Sequence, residues 1–271
     1  MPHQHSLGRE CTAEFIGTFL FVALGAGCVA GLKCAGAAYG QWEISIIWGF
    51  AVSLAVYVTA GVSGAHLNPS VTIALAVFGN FPGRKIIPYI AAQTLGAFAA
   101  GAVVYFLYGN LFPGKTLATA GVFATFPHAG ISLAQAFCTE FFITAVLVAV
   151  IFGLSDDGNG LPRGALTPLL VGVTVAVIGG AFGPLTGFAM NAARDFGPRV
   201  FTQLAGWGPE AMTGGRELPY VFIPLLAPAL GGLAGAAFYT YLIGRAFTKK
   251  PATEPDNAPA NQGETGERSI K

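Results

Sequence analysis

Apolar residues in this chain come in long unbroken runs rather than in alternating or half-polar helical patterns. Runs at about 13–32, 44–62, 87–108, 134–154, 166–182 and 220–243 each approach the ~20 residues an α-helix needs to cross the hydrocarbon of a bilayer. The pattern predicts six spanning helices. The first run is long enough to span and is followed by others like it, so it reads as a retained membrane helix and not as a cleaved leader. Two shorter apolar segments, about 69–78 and 192–201, cannot cross. Each follows an Asn-led motif, Asn68-Pro69-Ser70 or Asn191-Ala192-Ala193, and is predicted to be a half-membrane helix entered by a re-entrant loop.

The pattern also repeats. Glu14 in TAEFIGT answers Glu140 in CTEFFIT at an offset of 126, while Gly49, Gly64 and Asn68 answer Gly172, Gly187 and Asn191 at an offset of 123. Each half, about 8–110 and about 133–245, holds three full spans. An odd number forces the second half to enter the membrane in the opposite sense, so the repeat is inverted. The expected fold class is an all-α membrane protein of six spanning helices and two re-entrant half-helices. Residues 1–247 read as one membrane domain, and 248–271, polar, Pro-rich and without periodicity, as a disordered tail.

Composition agrees and narrows the function classes. Hydrophobic residues make up 54% and charged residues 10% of the 271 positions, where soluble domains carry roughly 25% charged. The 38 glycines suit helices whose backbones approach closely. A net charge of +1 leaves no surplus for a phosphate backbone, so nucleic acid is not an expected partner; the lipid bilayer is. The four cysteines, Cys11, Cys28, Cys34 and Cys138, have no metal-ligand spacing, and neither a metal site, a cofactor nor a catalytic nucleophile-and-base pair is expected. With the N-terminus inside, Arg9, Arg84, Lys85, Arg163, Arg245, Lys249, Lys250, Arg268 and Lys271 fall on the cytoplasmic side. Lys33, Lys115, Arg194, Arg199 and Arg216 do not, and the bias points to both termini being cytoplasmic.

Candidate chemistry gathers at the two Asn motifs. Asn is a preferred N-cap and Pro fits the first helical turn, so Asn68-Pro69 reads as a helix start; Asn191-Ala192 reads the same way with weaker pre-organisation. The inverted repeat brings the two half-helices together near the midplane, each presenting roughly half a positive charge. The entry loops, Gly64-Ala65-His66-Leu67 and Gly187-Phe188-Ala189-Met190, either stack as a dry interior or turn their carbonyls to a pore. Glu14 and Glu140 are costly in a membrane, and read either as buried acceptors holding loop N–H groups or as helix-end glutamates reaching the interface. Arg194, in the first turn of the second half-helix, should face a polar lumen, where a planar fork of donors can grip two hydroxyl oxygens; a bridge to Asp195 is the alternative.

The set CTAEFIGT, GQWEIS, TAGVSGAHLNPSVTIAL, DDGNGLPRG, GPLTGFAMN and ARDFGPR, in this order from about residue 9 to 245, resembles the major intrinsic proteins, the aquaporin family, and within it the glycerol uptake facilitators of the aquaglyceroporin branch. The resemblance implies a single channel domain, usually in homotetramers in the plasma (inner) membrane, passing glycerol, small polyols and some water while excluding ions and protons. It implies a selectivity filter of Trp48, Gly179, Phe188 and Arg194. Pore carbonyls would come from Gly64, Ala65, His66, Gly187 and Phe188, and Asn68 and Asn191 would donate to the passing oxygen. The family's usual motif is Asn-Pro-Ala twice, so Ser70 and Ala192 are departures. A broader channel for water, urea or similar neutral solutes is the alternative within the family. An ion-coupled transporter, which also uses inverted repeats and broken helices, is the alternative outside it.

Overall fold

In the computed structural model, residues 5–159 and 164–245 are described, and among them ten α-helices carry the fold. They are α1 (Leu7–Cys34), α2 (Gln41–Ser63), α3 (Pro69–Phe78), α4 (Ile86–Tyr108), α5 (Leu117–Ala120), α6 (Leu133–Ser155), α7 (Thr167–Thr186), α8 (Ala192–Thr202), α9 (Glu210–Thr213) and α10 (Phe222–Phe238). Among the described residues, six stretches are long and apolar enough to cross a membrane: Leu7–Cys34, Gln41–Ser63, Gly83–Leu111, Leu133–Ser155, Gly164–Thr186 and Phe222–Gly244. This is the expected all-α membrane architecture, with α3 and α8 as the half-helices. The expected tail at 248–271 and the charges Arg163, Lys249, Lys250, Arg268 and Lys271 lie outside the described residues.

The first span begins about two turns before the apolar run that predicted it. Ser6 caps α1 by accepting the Arg9 N–H, and the polar first turns hold Glu10, which pairs with Lys85 at 2.7 Å. A hydropathy run misses such turns because their polar side chains have partners elsewhere in the fold. α5 and α9, each four residues long, lie in the connection between the repeats and in the connection between α8 and α10, and carry no span-length signal.

The packing repeats with the sequence. α1 packs on α2 and α4, as α6 packs on α7 and α10. Each half-helix crosses to the other repeat, α3 against α10 and α8 against α4, while α2 and α7 pack against each other. Glycines set these close crossings. A Cβ at Gly49 would overlap the Gly172 carbonyl, and one at Gly172 would overlap the Gly49 carbonyl, so the repeat-related pair meets at the α2–α7 contact. Gly231 and Gly235 sit against the backbone of Phe141 and Ala145 in α6; they are internal packing positions, and Gly27 has open space instead. Exposed apolar side chains such as Phe106, Leu107, Val58 and Leu242 cover the outside, as lipid contact requires.

Candidate functional site

Both half-helices begin at an asparagine with extended backbone. The Asn68 Oδ1 accepts the Ser70 N–H at 2.8 Å, with Pro69 in the first turn. The Asn191 Oδ1 accepts two N–H groups, from Ala193 at 3.0 Å and Arg194 at 3.1 Å. α8 is therefore capped without a proline. The amides tie the two repeats together: Asn68 Nδ2 donates to Met190 O at 2.9 Å and Asn191 Nδ2 to Leu67 O at 2.7 Å. Each NH₂ has two donors. One is used in this cross-link, and one remains for the cavity that both residues line.

The entry loops share one backbone. Gly64, Ala65 and Leu67 have φ of +83°, +48° and +51°, and Gly187, Phe188 and Met190 have +81°, +43° and +50°. Left-handed φ at a non-glycine residue is strained and persists only where surroundings enforce it. The two glutamates do so. Glu14, fully buried in α1, accepts from Ser63 Oγ (2.6 Å), His66 N (2.9 Å), Leu67 N (2.7 Å) and Gln93 Nε2 (2.7 Å). Glu140, equally buried in α6, accepts from Thr186 Oγ1 (2.6 Å), Ala189 N (2.9 Å) and Met190 N (2.9 Å). With the N–H groups drawn back to the carboxylates, the carbonyls of Gly64, Ala65, His66, Phe188 and Ala189 accept no hydrogen bond from the described residues, and all five residues line the cavity. His66 is itself clamped by the rings of Phe81 (4.5 Å between centroids) and Tyr89 (5.1 Å), and its Nδ1 meets Thr72 Oγ1 at 3.1 Å.

Two cavities run along this axis. One, about 190 Å³, holds both asparagines and the loop carbonyls and is otherwise walled by apolar side chains, among them Val52, Leu147, Ile151 and Val175. The other, about 550 Å³, opens at the end carrying Lys33 and His128. Trp48, Phe188 and Arg194 line both, so they form the neck between them. Trp48 meets Phe188 edge-on at 6.4 Å, and the Arg194 guanidinium carbon lies 4.2 Å from the Trp48 ring centroid. Arg194 is 6% exposed and makes one long side-chain bond among the described residues, Nη2 to Gly187 O at 3.5 Å, so most of its five donors are left for a solute. Gly179 lines neither cavity. It stands behind the neck, where a Cβ would come 2.9 Å from the Phe188 ring, so its missing side chain seats that ring. Pro69, Ala192 and Ala193 build the half-helix starts and do not line the cavities. Ser70 faces α10, its Cβ beside Gly232, and its hydroxyl has no partner among the described residues.

Asp195 does not bridge to Arg194. It takes Arg199 Nε at 2.8 Å and Nη2 at 3.1 Å together with the Thr125 N–H and hydroxyl, both at 2.7 Å. Arg199, fully buried, also donates to the Ala211 and Thr125 carbonyls, each at 2.6 Å. This network pins the connection between the repeats over the larger cavity. Sequence reasoning missed it, along with Gln93 and the apolar side chains Val52, Leu147, Ile151 and Val175; Ala189 stood in the predicted entry loop but not among the named pore carbonyls. The repeat frame could have found Ser63 and Thr186, which are 123 residues apart and each donate to the glutamate of their own half.

A helical bundle in which strained loops, two facing half-helices and an arginine-bearing neck surround two adjoining cavities of mixed polar and apolar lining defines the class: a transmembrane channel. The profile of the major intrinsic protein family matches residues 2–239. The chain is 58% identical over 251 residues to the glycerol uptake facilitator of Haemophilus influenzae, covering 88% of this chain and 95% of that one. It is 54% identical to the Escherichia coli K12 glycerol uptake facilitator (90% and 92% covered) and to a propanediol uptake facilitator of Citrobacter freundii (89% and 94%). Among solved structures, an aquaglyceroporin from Plasmodium falciparum superposes with a TM-score of 0.82 at 33% identity, covering 89% of this chain and 99% of that one. This chain belongs to the major intrinsic protein family.

Proposed function

We propose that the protein is a passive channel for glycerol and small linear polyols, passing water as well and excluding ions and protons. The observation that carries this reading is the neck: two aromatic rings, Trp48 and Phe188, on the side of a carbon chain, and the Arg194 fork with unpaired loop carbonyls on the side of its hydroxyls. A linear polyol has those two faces. The names of the relatives, facilitators of glycerol and propanediol uptake, support the same solute class.

In this reading Trp48, Gly179, Phe188 and Arg194 are the filter, with Gly179 acting through the seat it gives Phe188. The carbonyls of Gly64, Ala65, His66, Gly187 and Phe188 hand the solute along. Asn68 and Asn191 each donate their remaining N–H to the oxygen between them. That orients it away from its neighbours and breaks the relay a proton would use, and the facing half-helix ends repel cations. We place both termini in the cytoplasm, which puts the Lys33–His128 mouth outside the plasma membrane, and we read the exposed apolar faces as shared between lipid and a homotetramer.

Stopped-flow swelling of proteoliposomes in glycerol, urea and sorbitol tests the solute class. Rapid glycerol entry with urea slower and sorbitol excluded is expected; glycerol entry no faster than in protein-free vesicles would overturn the reading.

A further inference from the structure

The larger cavity carries a positive charge, beyond that of the filter arginine, that a neutral solute does not need. Its wall includes Lys33 and Arg194, with His128 and Gln41, and among the described residues no aspartate or glutamate. The Lys33 ammonium gives one N–H to the Ala118 carbonyl at 2.6 Å. An ammonium has three donors. The other two have no partner among the described residues. His128 accepts the Gly130 N–H at Nδ1, 3.0 Å away, so its remaining nitrogen, Nε2, carries the ring proton and is a donor. The acid next in sequence to Arg194, Asp195, makes no hydrogen bond to it, its oxygens being taken by Arg199 and Thr125. Gln41 has its NH₂ on the Gly179 carbonyl at 3.0 Å, leaving its oxygen as an acceptor for a hydroxyl.

We propose that this vestibule is a binding site for short hydroxylated anions, the phosphomonoesters and carboxylates of three-carbon polyols. The anionic group lies between Lys33 and Arg194, and the hydroxyl carbons point into the neck. A cavity of about 550 Å³ accommodates such a molecule with part of its water. It does not proceed, because beyond Trp48 and Phe188 the space narrows to a cavity of about 190 Å³ walled mostly by apolar side chains and carbonyl oxygens, where the two asparagine amides are too few donors to replace the water an anion would shed. The anion therefore plugs the entrance. Competition with a polyol, though not binding itself, rests on the function proposed above.

Glycerol 3-phosphate and inorganic phosphate are the probes, added on both faces of proteoliposomes during glycerol swelling and titrated calorimetrically into the full-length protein in detergent. Glycerol 3-phosphate should bind and inhibit swelling competitively, more strongly than phosphate, with the effect fading as salt screens the two cations. Lys33→Gln should raise its inhibitory and dissociation constants about fivefold, as loss of one partly exposed ion pair predicts, and Lys33→Arg should restore them. His128→Gln, which leaves the Ala118 contact in place, should weaken binding by a smaller factor. Inhibition equal to that of a neutral polyol at the same concentration, or binding unaffected by salt and by Lys33→Gln, would overturn the proposal. Were glycerol swelling absent, the channel reading would fail while the calorimetric titration still decided the site: Lys33-dependent binding would support it and no heat would sink it.

Discussion

Glu140 is fully buried and accepts three hydrogen bonds, so the site demands an acceptor there. Glu140→Gln keeps the shape but turns one acceptor into a donor facing donors. The unpaired groups should cost about 1–3 kcal/mol. The expected result is a lower detergent melting temperature together with slower glycerol flux, because the carbonyl file loosens with the N–H groups that hold it; unchanged flux would show the loop keeps its shape unaided. Gly179→Ala is predicted to act differently. Its Cβ would lie 2.9 Å from the Phe188 ring, and overpacking of about 1–3 kcal/mol relieved into the neck should cut polyol flux roughly tenfold while water still passes. Parallel swelling measurements in glycerol and in an impermeant osmolyte check this; an equal loss of both fluxes would argue for misfolding instead. The role of Gly179 was legible only through resemblance, since nothing in a lone glycine marks the ring it seats.

Half-helix starts depend on how an N-terminus is satisfied, and here the two elements differ. α3 has Pro69 in its first turn, whereas α8 has Ala192, whose N–H finds no acceptor among the described residues. Asn191 compensates by accepting two N–H groups where Asn68 accepts one. Asn191 is already extended, at φ −154° and ψ 109°, which suits a following proline. Ala192→Pro should therefore stabilise the protein by about 0.4–1 kcal/mol and leave flux within a few-fold of the parent. A thermal melt and a swelling trace decide it: a flux change of orders of magnitude would mean that residue 192 controls conduction and not merely helix entry. The α2–α7 crossing is less tolerant. Gly172→Leu places a side chain where the Gly49 carbonyl and Ser53 hydroxyl already sit, and loss of folded protein in size-exclusion chromatography is expected. Elements were readable from sequence where one physical signal decides them, namely long apolar runs for the spans and Asn-led short runs for α3 and α8. They were not readable where long-range polar partners decide, as in the first turns of α1 or the small helices α5 and α9.

Across the whole molecule, one inverted repeat explains most of what is seen: the paired φ values of the loops, the paired glutamates, the crossed half-helices and the reciprocal Gly49–Gly172 contact. That symmetry was legible as an offset of 123 residues, and with it the fold. The asymmetric features were not legible. Arg194 has no counterpart charge in the first repeat, and Asp195, which adjacency offered as its partner, instead joins Arg199 and Thr125 to hold the inter-repeat connection. Such partners are set by which segments meet in space, which spacing along a chain does not encode. The central claim is that the axis conducts a neutral polyol passively through a neck whose discrimination rests on Arg194. The measurement that tests it most directly is glycerol flux into proteoliposomes of the parent and of Arg194→Ala, with and without proton or sodium gradients. The account predicts parent flux that rises linearly with glycerol concentration and ignores the gradients, and an Arg194→Ala pore that admits larger or charged solutes the parent rejects. Uptake that saturates at low glycerol concentration and follows a gradient, or an Arg194→Ala pore with unaltered discrimination, would contradict it.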